Sequence, residues 1–140
     1  MRFAMSKNES NQRGLLIVDH GTRSATANAM LAEFASKVSS ARPSWIVEHA
    51  HMELAEPDFG SGIDRLVSLG ANEILVHLHF LGVGFHVRES IPKLVATARE
   101  RHATITIELT TPIGADARLV EIVLDRMDAQ SDPDRHNSKA

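Results

Sequence analysis

The chain contains no cysteine and no tyrosine, and only one tryptophan among its 140 residues. Without cysteine there is no disulfide framework, no thiolate-held zinc, no iron–sulfur cluster and no thiol nucleophile. Any bound metal has to be held by His, Asp or Glu. Long apolar runs are missing too; they span a few residues, far short of the about 20 that a membrane-crossing helix needs. A basic excess is also absent. Lys and Arg number 15 against 18 Asp and Glu, a formal charge of −3, which argues against a general nucleic-acid binder. Met1 to Arg13 is polar and has no apolar secretory core, so the cytosol is the expected compartment. There is no Gly-x-Ser-x-Gly elbow and no Walker loop, and Gly82-Val83-Gly84 lacks the third glycine of a dinucleotide loop.

What the chain has in excess is histidine, with eight residues. Packing alone does not call for so many imidazoles. The remaining composition, 43% hydrophobic and 24% charged, is ordinary for a globular protein. The length suits a single domain. It is expected over residues 14–128, between a polar, flexible leader (1–13) and a polar, flexible tail (129–140) that contains His136.

Apolar runs and helical periodicities alternate along that span. Gly14 to Val18 reads as a strand buried on both faces. Ala27, Met30, Leu31, Phe34, Ala35 and Val38 then recur at helical spacing for about four turns, until Arg42-Pro43 stops them. Trp45 to Leu54 reads as the second strand, with His49, His51 and Glu53 on one face by its period of two. Glu56-Pro57 opens a helix with Phe59, Ile63, Leu66 and Val67 inward, closed by Gly70. Glu73 to Phe80 is the third strand and Leu81 to Phe85 a glycine-containing loop. Ser90 is the expected N-cap of the third helix, with Pro92 in its first turn and Leu94, Val95 and Ala98 inward. Thr104 to Leu109 is the fourth strand. Asp116 then caps a last helix with Leu119, Ile122, Val123 and Met127 inward.

Strict alternation of strand and helix predicts a parallel sheet with helices on both faces. Such folds bind ligands beyond the carboxyl ends of their strands. His20 follows the first strand, Glu53 closes the second, and His79 and His86 follow or end the third. Two imidazoles and a carboxylate at one mouth can hold a divalent metal, do acid–base work near neutral pH, or do both in turn. His49 and His77, inside strands, read more simply as hydrogen-bonded residues. His51 and His79, nearer the strand ends, stay candidates for metal. His102 suits the negative end of its helix.

Three motifs are specific enough to compare. They are Asp19-His20-Gly21-Thr22-Arg23, Ala50-His51-Met52-Glu53-Leu54-Ala55-Glu56-Pro57, and Phe80-Leu81-Gly82-Val83-Gly84-Phe85-His86-Val87-Arg88-Glu89-Ser90-Ile91-Pro92. In this order they resemble the small sirohydrochlorin chelatases, the CbiX and SirB group of class II chelatases. The resemblance implies a three-layer α/β/α chelatase-like (flavodoxin-like) domain. Its four-stranded parallel sheet would have the order 2-1-3-4, and two copies would pair as a homodimer over one tetrapyrrole. The implied reaction is insertion of Co2+ or Fe2+ (nickel in some archaeal members) into sirohydrochlorin, in cobalamin or sirohaem biosynthesis, with no nucleotide and no other cofactor. The family's site histidines carry over to His20 and His86, and its acidic partner to Glu53, with Glu56 as rival. Arg23 and Arg88 would pair with the substrate's carboxylates. Leu81, Val83 and Phe85 would supply an apolar floor. Phe85, His77 and His79 depart from the usual pattern, and the two histidines could add metal-holding capacity or tune metal choice. A tetrapyrrole or metal carrier of the same fold, acting without turnover, is the competing reading. A metal storage or sensing module is a third.

Overall fold

Branched, apolar residues form four parallel strands: β1 (Arg13–Asp19), β2 (Ile46–His51), β3 (Glu73–Leu78) and β4 (Thr106–Leu109). They make one sheet in the order β2-β1-β3-β4. The helices between and after them are α1 (Ala25–Ala41), α2 (Phe59–Ser68), α3 (Phe85–Arg101) and α4 (Ala117–Ser131). The computed structural model describes residues 12–131 apart from Val83 and Ala115, and His86 in its backbone only. The alternation and the parallel pairing are those expected from the sequence pattern, and the strand order is the one the family resemblance implies.

The period-two alternation of each strand feeds two separate cores. Leu16, Val18, Ile74, Val76, Leu78 and Ile107 point to one face, where they meet Phe59, Ile63 and Leu66 of α2 and Val87, Ile91 and Val95 of α3. Ile17 points to the other face, against Leu31 and Ala35 of α1, with Leu15, Val38 and Val47 around them. Each such aliphatic or aromatic side chain removed from water stabilises the fold by about 1.5–3 kcal/mol. Gly62 lets α2 lie close to the sheet, since a Cβ there would stand 2.6 Å from Leu16 Cδ1 and 3.1 Å from Ala50 Cβ.

Several boundaries differ from the sequence reading. β1 starts at Arg13, inside the expected leader, and α4 runs to Ser131, inside the expected tail. β2 ends at His51, and the two amides beyond it still bond to the β1 side: Met52 N–H donates to the Asp19 carbonyl and Glu53 N–H to that of His20. The N-cap of α2 is Asp58, which accepts from Ser61 N–H, rather than the Glu56-Pro57 pair. α3 begins at Phe85, with Gly84 as N-cap. Ser90 is therefore within the helix and Pro92 lies in its second turn. α4 buries none of its side chains; Val120, Ile122, Val123, Leu124 and Met127 are all exposed. Among the described residues no helix is long and apolar enough to cross a membrane.

Candidate functional site

The turn after β1 is built by its own polar side chains. Thr22 N–H donates to Asn28 Oδ1 (2.9 Å), and Asn28 Nδ2 donates back to the Thr22 carbonyl (2.8 Å). Ser24 caps α1 by accepting from Ala27 N–H, while its own N–H donates to Thr22 Oγ1 (2.8 Å). These bonds hold the loop from His20 to Ser24 against the first turn of α1. Gly21 adopts φ +84°, in the left-handed region, and a Cβ there would stand 2.0 Å from the Glu53 carbonyl oxygen. Only glycine allows the β1 turn and the segment after β2 to cross so closely.

That crossing sets Glu53 beside His20, with a 3.0 Å bond from Glu53 N–H to the His20 carbonyl. The His20 ring stacks on buried Phe80, with centroids 4.3 Å apart. Below the turn, His51 Nδ1 and Asp19 Oδ1 are 2.5 Å apart. His51 is only 1% exposed, so the pair ties the ends of β1 and β2 together inside the protein.

A cavity of about 680 Å³ opens at these strand ends, toward α3. His20, Met52 and Glu53 form its sheet side, and Phe85, Val87, Lys93, Leu94 and Thr97 its helix side. Its volume is that of a small-molecule site. It combines an imidazole, a carboxylate and an ammonium group with an apolar wall.

The CbiX family model matches residues 14–130. The chain belongs to the CbiX family. It is 39% identical over 114 residues to the chloroplastic sirohydrochlorin ferrochelatase of Arabidopsis thaliana, covering 81% of this chain and 51% of that protein. It is 29% identical over 136 residues to the sirohydrochlorin cobaltochelatase of Methanocaldococcus jannaschii, covering 80% of this chain and 95% of that one. Among solved structures, the sirohydrochlorin chelatase SirB from Bacillus subtilis subspecies spizizenii, in complex with cobalt, superposes with a TM-score of 0.77. That match is 31% identical and covers 84% of this chain and 50% of SirB. The chain thus spans about half the length of the plant and Bacillus relatives and nearly all of the archaeal one.

With the CbiX fold in place, the residues singled out in the sequence separate into groups. His20, Glu53 and Phe85 line the cavity, with Phe85 76% exposed at its lip. His86 lies in the first turn of α3 between two lining residues, Phe85 and Val87; its side chain is outside the described residues. Glu56 turns its carboxylate to Asp58 N–H at 3.0 Å, so Glu53 is the carboxylate at the cavity. Arg23, Leu81 and Arg88 are exposed and do not line the cavity, and Val83 lies outside the described residues. His51 is not at the mouth, because burial and its bond to Asp19 hold it inside. His79 faces away from the cavity, stacked on Phe34 of α1 with centroids 4.4 Å apart. Among the described residues no three His, Asp or Glu side chains form a metal cage.

Met52, Lys93, Leu94 and Thr97 line the cavity without having been singled out for it. The last three do leave a signal, since Thr97 lies three residues after Leu94 and four after Lys93, spacings that bring side chains together on a helix.

Proposed function

We propose that this chain inserts a divalent metal ion, Co2+ or Fe2+, into sirohydrochlorin without a nucleotide. The observation that carries this reading is the meeting of His20 and Glu53 at the rim of one cavity, with His86 in the helix turn beside it. The names of the relatives support it. Insertion replaces two pyrrole N–H protons with the metal, which sheds its water as it enters. A neutral imidazole can ligate the incoming ion or accept a proton at pH 7. His20 and His86 take these roles, and Glu53 relays protons away. The macrocycle lies against Met52, Val87 and Leu94, with Phe85 at the lip and Leu81 in the segment before it. Lys93 meets a rim carboxylate, joined by Arg23 and Arg88 as the substrate settles.

The chain works as a homodimer in the cytosol. Phe85 stands exposed at the cavity lip, and α4 carries exposed apolar residues that the described chain leaves unburied. The relatives of about twice this length support a two-lobed cleft. The test is anaerobic mixing of the purified protein with excess sirohydrochlorin and Co2+, followed by absorbance. Multiple turnovers above the protein-free rate are expected, with a drop of about a hundredfold or more in Glu53→Gln. Bound-substrate spectra without turnover would instead identify a carrier.

A further inference from the structure

Two of the histidines that do not line the cavity stand together at the end of β3. His77 and His79 stand two residues apart near the end of β3, so both side chains leave the sheet on the face opposite Leu78 and the α2–α3 core. His77 Nε2 and His79 Nδ1 are 3.2 Å apart. Two imidazole nitrogens that each bind one divalent ion at about 2.0–2.1 Å, at angles between a right angle and the tetrahedral value, stand about 2.8–3.4 Å from each other. The observed spacing falls in that interval.

The surroundings favour an ion over a simple shared proton. Phe34 stacks on His79 and fixes its ring. His77 lines a second cavity, of about 440 Å³, with Thr111, Pro112 and Ile113, which gives an ion room to keep water ligands. Asp116 borders the same cavity but is paired with Arg118 at 2.8 Å. Two protein ligands with open positions suit an ion that has to leave again, whereas structural sites close all four.

We propose that the His77–His79 pair is a second site for a divalent transition-metal ion, on the α1 face of the sheet and separate from the insertion cavity. It would hold the ion as cargo, through His77 Nε2 and His79 Nδ1. The proposal does not depend on turnover and concerns the metal alone. The first test is equilibrium dialysis of the full chain against Co2+. His77→Ala/His79→Ala should lose one bound ion that His20→Ala/His86→Ala retains. Equal stoichiometry and affinity in wild type and His77→Ala/His79→Ala would overturn it. A second test needs no variant: 15N imidazole spectra of the wild-type chain titrated with Zn2+. The His77 Nε2 and His79 Nδ1 resonances should move together. Resonances unmoved at saturating zinc would overturn the proposal.

Discussion

Gly21 governs how closely His20 and Glu53 can approach. Its φ of +84°, and the 2.0 Å that would separate a Cβ at this position from the Glu53 carbonyl oxygen, leave no room for a side chain. Gly21→Ala must therefore push the two segments apart. The expected cost is about 1–3 kcal/mol of stability, read from the denaturant midpoint, together with loss of metal insertion. A variant with wild-type stability and rate would show that the crossing is not what positions Glu53. At this scale the sequence is informative where a residue stands at a strand end. His20 and Glu53 are found by period two and by the rule that parallel sheets bind ligands at their carboxyl ends. The same rule misplaces His51 and His79. Both stand near strand ends, but which face they take and what packs there are tertiary facts: Asp19 claims one and Phe34 the other.

Among the elements, the strands and their parallel pairing are legible because apolar runs and alternation are strong signals; their order in the sheet is implied by the family resemblance instead. The helix starts are less so. Pro92 suggests a first turn, yet α3 starts at Phe85 and carries the proline inside. Gly84, its N-cap, makes no side-chain capping bond, so the sequence holds no capping residue to mark the start. α2 shows the opposite case. Asp58 accepts from Ser61 N–H at 2.8 Å, and this bond, foremost, holds its pKa below the ordinary 3.8. Asp58→Ala should lower stability by about 1 kcal/mol at neutral pH. The sign with pH follows from linkage. A carboxyl with a depressed folded pKa stabilises fully above 3.8, and that contribution is lost as pH falls through the folded value. Thermal melts of both proteins should therefore converge as the pH drops below 3.8. A difference that persists unchanged in acid would contradict the capping role.

For the whole molecule, α4 is the element that the single chain leaves unexplained. The sequence pattern places Ile122, Val123 and Met127 inward, and all three are exposed. Periodicity shows that a helix has an apolar face but not which surface covers it. A second copy is the proposed cover. Val123→Glu should convert a dimer to a monomer in analytical ultracentrifugation while leaving the helical signal intact, because Val123 is 57% exposed in its own chain. A wild-type chain that sediments as a monomer would remove the dimer from the account. The central claim is that His20 works on a metal entering a tetrapyrrole, and the most direct measurement is the anaerobic insertion rate of wild type beside His20→Ala, with sirohydrochlorin and Co2+ in excess. Since His20 is exposed, the variant should fold normally and still bind the tetrapyrrole, with turnover reduced about a hundredfold or more. Equal turnover in the two proteins would contradict the account.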